Sequence, residues 1–179
     1  MRNSIRSGGR RSSTSSVAIW RSPSPGTTRG SANDGAIPRG LGARRSIIHT
    51  DLRVGNIVVG PGGLRAVLDW EGARRFGDPM RDLAWPTLRM WRFGDDAREF
   101  GGLVDLATFV AAYERAGGTF ELDRFRWWKT ASTLAWGVLL AGQAAAYLDG
   151  ATRDIVMAAS GRRVSEIEWD LLMQIRPAS

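Results

Sequence analysis

The sequence predicts an α+β fold that is mostly helical and contains one small β-hairpin. Two runs of apolar and β-branched residues flank the Gly-Pro-Gly-Gly sequence at 60–63, which is a strand–turn–strand pattern over about 57–59 and 65–68. Downstream of this pattern, apolar residues recur at helical spacing through most of the chain to about residue 173. Glycine and proline residues interrupt that spacing, so several separate helices are expected.

The first 45 residues differ in composition from the rest of the chain. They hold nine Arg and one acidic residue, Asp34, for a net charge of +8, whereas residues 46–179 hold sixteen basic and seventeen acidic residues, for −1. Ser, Gly, Arg and Pro dominate the segment, so it cannot bury enough apolar surface to offset its ordering entropy. We therefore expect a disordered, protease-sensitive basic segment at 1–45 and one folded domain at 46–179. A transit peptide and an RNA-binding arm are alternatives for the segment, and no specific nucleic-acid binding is expected of the domain.

The first helix after the hairpin is predicted from its capping residues. Asp78 followed by Pro79 is typical of a helix N-cap and its first position, and this helix is expected to extend to about Leu83 or Ala84. Pro86 then breaks or restarts it. Asp78 is accordingly interpreted as a helix cap rather than as a metal ligand.

Three longer helices are predicted over about 95–116, 121–148 and 151–173. The first is amphipathic and ends at Gly117-Gly118. The second contains 19 residues without a charge, from Thr130 to Leu148, which is long enough to raise the question of a membrane span. Its Ser, Thr, Gly and Gln residues favour a central helix buried on most sides. A cytoplasmic location without membrane association is therefore expected.

Composition excludes several classes of site. The chain has no Cys and His49 is its single histidine. Disulfide scaffolds, Cys-ligated zinc, thiol catalysis and zinc sites built on several histidines are all excluded.

One motif carries chemistry. It has the order His-x-Asp-x4-Asn at His49, Asp51 and Asn56, followed by the hairpin and then by Asp69 at the end of an apolar run. In kinase-type phosphotransfer, one Asp accepts a hydroxyl proton, while an Asn and a later Asp hold Mg²⁺ on the phosphates of ATP. Oxygen ligands suit Mg²⁺, and a hairpin lets residues thirteen apart in sequence converge on one ion.

Residues 46–94 resemble the aminoglycoside phosphotransferase and choline kinase superfamily. The segments that carry the resemblance are HTDLRVGN, VLDWE and GDPMRDL, which match that family's three ordered motifs. Within the superfamily, the chain is similar to bacterial phosphotransferase-family proteins related to the kinase-like domain of an acyl-CoA dehydrogenase. The segments WRFG, YERAGG, WWKTASTLAWGV and GRRVSEIEWDLL extend this likeness to about residue 175. The resemblance implies the C-terminal lobe of the protein-kinase-like fold, with a small catalytic β-hairpin.

The resemblance also implies a role for five residues. Asp51 would be the catalytic base, and Asn56 and Asp69 would bind Mg²⁺ and thereby the ATP. Asp82 would brace the backbone of the catalytic loop, and His49 would pack and hydrogen-bond within that loop rather than act as a catalyst. The implied reaction transfers the γ-phosphate of ATP to a hydroxyl group of a small-molecule acceptor.

Other residues near the motif have less specific interpretations. Glu71 is equally compatible with a supporting and a solvated position. Arg53, Arg74 and Arg75 are expected on the surface rather than against an anionic substrate. The tryptophans of the helices are expected in the core, with an acceptor pocket as the alternative: Trp85, Trp91, Trp127, Trp128 and Trp136.

Two features depart from the resembled family. Thr50 stands where the family has Gly, and a β-branched residue is poorly suited to a positive φ, so strain is expected there. No Gly-rich phosphate loop or lysine precedes the motif, and the single lysine, Lys129, falls in a predicted helix. The sequence is therefore expected to lack the N-terminal lobe and, by itself, to be nearly inert. The alternatives are an inactive fragment or binding module, and a dimer formed through the exposed lobe surface.

Overall fold

The computed structural model describes residues 46–176, and the predicted disordered segment at 1–45 lies outside them. Four short strands come first: β1 (Ser46–Ile48), β2 (Ile57–Gly60), β3 (Gly63–Val67) and β4 (Arg74–Gly77). Five helices follow: α1 (Pro79–Ala84), α2 (Leu106–Arg115), α3 (Leu122–Leu148), α4 (Ile155–Ser160) and α5 (Val164–Ile175). The described part is thus mostly helical with small antiparallel sheets, as the sequence predicts.

Two antiparallel strand pairs build the end of the domain that carries the motif. β2 pairs with β3 as a hairpin, with Ile57 opposite Val67, and an irregularity lies between Val58 and Val59. β1 pairs with β4. The predicted hairpin is confirmed, and the two pairs place the segment between β1 and β2 beside the segment between β3 and β4.

The first helix begins as predicted. The Asp78 carboxylate accepts a hydrogen bond from the Met80 N–H at 3.0 Å, and Pro79 occupies the first turn. α1 ends at Ala84, where a 3₁₀ turn containing Pro86 replaces it. Met80, Leu83 and Ala84 of α1 form the buried core with Phe125 of α3. The cap therefore fixes the start of the helix on which the core is built.

The predicted helix over 95–116 is wrong in its first half. α2 begins only after Asp105, whose carboxylate accepts from the Thr108 N–H at 2.8 Å. The preceding Gly101 and Gly102 have φ values of 61° and 70°, which are left-handed and interrupt a right-handed helix. A side chain at Gly102 would also collide with the backbone of Arg92. The apolar spacing of this region arises from turns and not from one helix.

The helix predicted over 151–173 is also divided. α4 and α5 are separated by a 3₁₀ turn at Gly161–Arg163. A Cβ added at Gly161 would lie 2.7 Å from the Cβ of Ala144 on α3, so this glycine permits a close approach of the two elements. The close approach places the bend between α4 and α5 against α3.

The expectation that α3 is buried on most sides is wrong. Phe125, Ser132, Thr133 and Leu140 are buried, but Leu134 and Val138 are 55% and 65% exposed. In the part of the chain that the structure describes, α3 is the one helix long and apolar enough to cross a membrane, and 17% of its most apolar window is buried. Length and composition of a single helix are weak evidence for a span, since core helices meet the same criterion.

Candidate active site

The loop that carries the motif joins β1 to β2, and Asp82 of α1 holds its start. The Asp82 carboxylate accepts hydrogen bonds from the His49 N–H at 2.6 Å and from the Thr50 N–H at 2.7 Å. Thr50 has a φ of 75°, in the left-handed region that costs a non-glycine residue about 1–3 kcal/mol. Its hydroxyl donates to the Gly72 carbonyl at 3.0 Å. The strain expected at Thr50 is present, and these hydrogen bonds hold the backbone in that conformation.

The ring of His49 joins the loop to the end of the hairpin. It is 3% exposed, and its Nδ1 accepts from the Asp51 N–H at 3.2 Å. Its Nε2 lies 2.7 Å from the Leu68 carbonyl oxygen, which can only accept, so the proton is on Nε2. Trp70 packs edge-on against the ring at 4.7 Å between centroids. His49 is therefore held as the neutral Nε2–H tautomer between Asp51 and the residue that precedes Asp69.

Three side chains donate to the carboxylate of Asp51. Asn56 Nδ2 donates to Oδ2 at 2.9 Å and Arg53 Nε donates to the same oxygen at 3.2 Å. Trp85 Nε1 donates to Oδ1 at 2.7 Å. The Asp51 side chain keeps 34% of its surface exposed, so a bound molecule can still reach it. The carboxylate is thus oriented by its neighbours and open on one side.

Asn56 and Asp69 stand at the open end of the hairpin. Asn56 also donates from Nδ2 to the Asp51 carbonyl at 2.8 Å, which leaves its Oδ1 as the atom for a cation. Its backbone carbonyl accepts from the Leu68 N–H at 2.8 Å, so Asp69 follows directly after a residue bonded to Asn56. Asp69 is exposed and has a left-handed φ of 67°.

This donor set fits Mg²⁺. One amide oxygen and one carboxylate, on two segments joined by a backbone hydrogen bond, are the kind of oxygen ligands that Mg²⁺ takes while keeping several waters. The described residues contain no group of three or more His, Cys, Asp or Glu suited to a metal ion. Any cation here would consequently take its further ligands from water or from a bound molecule.

The remaining residues lie as follows. Glu71, Arg74 and Arg75 are exposed. Asp78 is 2% exposed and, besides capping α1, forms a buried ion pair with Arg124 of α3. The sequence did not predict the hydrogen bond from Trp85 to Asp51, since Trp85 was expected in the core, with an acceptor pocket as the alternative. Trp85 and Asp51 are 34 residues apart in sequence, and no pattern in the residues around either one indicates that they are in contact.

Replacing Asp82 by asparagine tests whether this carboxylate braces the loop. An amide has one accepting oxygen for two N–H groups, so the free energy of unfolding should fall by about 1–3 kcal/mol. Burial raises the pKa of Asp82 above its ordinary value, although the N–H groups of His49 and Thr50 oppose the rise. A carboxyl with a higher pKa in the folded state contributes most stability below its unfolded-state pKa and loses it as the pH rises through the folded-state pKa.

Thermal unfolding of the parent protein and Asp82→Asn should therefore be compared from about pH 4 to pH 7. The stability margin of the parent over the variant should shrink as the pH rises, because only the parent has this carboxyl. Two melting curves that change in parallel with pH would show that Asp82 does not titrate as its burial requires.

Comparisons with known proteins give a family and a similar fold. The family model described as the phosphotransferase enzyme family matches residues 32–128. A crystal structure from Ralstonia eutropha JMP134, of a protein provisionally named an aminoglycoside phosphotransferase, is similar with a TM-score of 0.54 and 24% identity. The match covers 74% of this chain but 44% of that protein, so the chain spans less than half of its length. No curated protein matches the chain.

Proposed function

We propose that this chain, which belongs to the phosphotransferase enzyme family, provides the catalytic loop of an ATP-dependent transfer of phosphate to a hydroxyl group of a small molecule. The observation that carries the proposal is the arrangement at Asp51. Asn56 donates to its carboxylate at 2.9 Å and also bonds through its backbone to Leu68, directly before Asp69. These contacts support Asp51 as the candidate base and Asn56 as a candidate metal ligand, with Asp69 next in sequence to the residue that pairs with Asn56.

In this mechanism the acceptor hydroxyl gives its proton to the Asp51 carboxylate. The hydroxyl oxygen then forms a bond to the γ-phosphorus of ATP, while the bond from that phosphorus to the bridging oxygen breaks and ADP leaves. Asn56 Oδ1 and the Asp69 carboxylate would hold Mg²⁺, which supplies neutralisation of the phosphate charge. His49 and Asp82 fix the loop backbone, so that Asp51 is in position before the acceptor binds.

We further propose that the described domain is the C-terminal lobe of a two-lobed enzyme. Lys129, the one lysine of the described residues, lies on α3 with its Nζ 4.0 Å from Glu99, and burial lowers its pKa. Its partner Glu99 lies outside the motif loop, so Lys129 does not serve as the lysine that orients nucleotide phosphates in kinases. We therefore expect residues 1–179 alone to turn over at or near background.

The test of the proposed function follows ADP release with Mg²⁺-ATP and a panel of amino sugars, choline-like alcohols and hydroxyacyl thioesters. It uses residues 1–179 and, in parallel, any longer product of the same reading frame begun at an upstream start codon. Acceptor-dependent release in the longer form that disappears in Asp51→Asn would support both proposals.

A binding measurement tests the candidate site separately from the two-lobe proposal. Titration with a fluorescent ATP analogue should show affinity that depends on Mg²⁺ and is weakened in Asn56→Ala. If neither protein binds the analogue in a Mg²⁺-dependent way and neither releases ADP, the proposed function is wrong and the chain is a non-catalytic module. Turnover by residues 1–179 alone that requires Asp51 would contradict only the two-lobe proposal.

A further inference from the structure

Trp85 contacts the reacting carboxylate from outside the motif. Its indole Nε1 donates to Asp51 Oδ1 at 2.7 Å, across 34 residues of sequence. Among the described residues, Arg53 and Asn56 donate to Oδ2 and fill its two lone pairs, while the side-chain hydrogen bond to Oδ1 comes from Trp85. Oδ1 is thus the oxygen with a lone pair left for the proton of an acceptor hydroxyl.

We propose that Trp85 is a positioning residue, which holds Asp51 Oδ1 in the orientation that accepts this proton. The inference rests on the proposed function and adds a residue to it. Without the indole N–H, the carboxylate is anchored through Oδ2 alone and can rotate about its terminal bond, a torsion with a broad energy profile. Misorientation of a reacting group by small amounts is costly in rate.

The protein holds the Trp85 ring firmly. Trp85 lies where α1 gives way to a 3₁₀ turn, and Pro86 follows it. The ring packs against Trp136 at 5.6 Å and against Trp91 at 6.2 Å between centroids, and those two rings lie 5.6 Å apart. A donor fixed by two large rings directs its N–H without paying further side-chain entropy when substrate binds.

The three tryptophans of this cluster differ in one respect. The indole nitrogens of Trp91 and Trp136 are buried and have no hydrogen-bond partner among the described residues, whereas that of Trp85 is bonded to Asp51. Packing of the cluster therefore does not depend on paired N–H groups. The same substitution, tryptophan to phenylalanine, removes an N–H from each position but removes a hydrogen bond to Asp51 at only one of them.

The first experiment uses these three variants in whichever form of the protein shows turnover that depends on Asp51. Trp85→Phe should lower kcat by about 10- to 100-fold with the KM for ATP within about 3-fold of the parent, because Asp51 acts on the acceptor and not on the nucleotide. Trp91→Phe and Trp136→Phe keep the Trp85 N–H that bonds Asp51, so each should lower kcat several-fold less than Trp85→Phe, although all three should lower the melting temperature through lost packing. Equal losses of kcat in the three variants would overturn the proposal.

The second experiment needs no turnover and uses residues 1–179. The indole N–H resonances of the eight tryptophans are recorded in a ¹H–¹⁵N spectrum and assigned with the phenylalanine variants. A hydrogen bond to a carboxylate is stronger than one to an amide, so Asp51→Asn should shift the Trp85 resonance upfield and speed its exchange with solvent more than for Trp91 or Trp136.

If Asp51→Asn changes neither the chemical shift nor the exchange rate of the Trp85 indole N–H, the proposal is wrong, with or without measurable activity. If the resonance shifts in Asp51→Asn but no form of the protein transfers phosphate, the proposed function is wrong, while the hydrogen bond from Trp85 to Asp51 is confirmed. The two failures are therefore distinguishable.

Discussion

Asp69→Ala is expected to lower phosphate transfer by about 100-fold or more and to weaken Mg²⁺-dependent nucleotide binding. Asp69 is the one carboxylate of the two metal-ligand candidates, and the Asn56 amide carries no charge with which to retain the cation. The side chain is exposed, so its removal costs little packing. Its φ of 67° is, however, better tolerated by Asp than by Ala, and the free energy of unfolding should fall by about 1 kcal/mol.

Asp69→Asn separates the charge from the backbone effect. Asparagine tolerates the left-handed region, so this variant should keep the stability of the parent and still lose the Mg²⁺ dependence of nucleotide binding. Glu168→Ala, at an exposed position on α5, is the control for loss of a surface carboxylate. The measurements are titration with a fluorescent ATP analogue with and without Mg²⁺, ADP release, and thermal unfolding. If nucleotide binding and turnover are unchanged in both Asp69 variants, Asp69 is not a metal ligand of the site.

The parts of the fold that the sequence predicts well depend on neighbouring residues. The hairpin follows from its Gly-Pro-Gly-Gly turn, and α1 follows from the order Asp78-Pro79. The error at 95–116 had a visible signal, since Gly101 and Gly102 interrupt the apolar spacing in the middle of the predicted helix. Spacing alone cannot distinguish a helix from a series of turns that buries the same apolar residues.

The contacts that sequence reasoning could not supply join distant segments. The partner of Asp78 is Arg124, 46 residues away, and nothing local distinguishes this arginine from the many others in the chain. Likewise, the exposure of α3 depends on which of its faces α1, α4 and α5 cover. For the candidate site, the motif identifies Asp51, Asn56 and Asp69, but only the structure shows that Trp85 also donates to Asp51.

The largest expected loss of stability is in Arg124→Met. Arg124 is 3% exposed, and its guanidinium bonds both carboxylate oxygens of Asp78, with Nε to Oδ2 at 3.0 Å. Trp128 donates to the same carboxylate at 2.8 Å, and Glu121 accepts from Arg124. This group joins the start of α1 to α3, directly beside the core formed by Met80 and Phe125.

Methionine replaces much of the volume of arginine but leaves the Asp78 carboxylate buried without its counter-charge. Removing one partner of a buried ion pair costs about 3–5 kcal/mol, against about 0.5 kcal/mol or less for an exposed arginine. Arg126→Met, two residues further along α3 at an exposed position, is the matched control. Chemical denaturation should give a free energy of unfolding that is about 3–5 kcal/mol lower in Arg124→Met and nearly unchanged in Arg126→Met.

A double variant identifies the cause of the loss. Asn is as good a helix cap as Asp, so Asp78→Asn keeps the bond to the Met80 N–H while removing the buried charge. Combined with Arg124→Met, it should recover part of the stability lost in Arg124→Met alone, because no unpaired charge then remains in the core. Additive losses in the double variant would show that Arg124 acts through packing, and an Arg124→Met protein as stable as Arg126→Met would show that this ion pair does not hold α1 against α3.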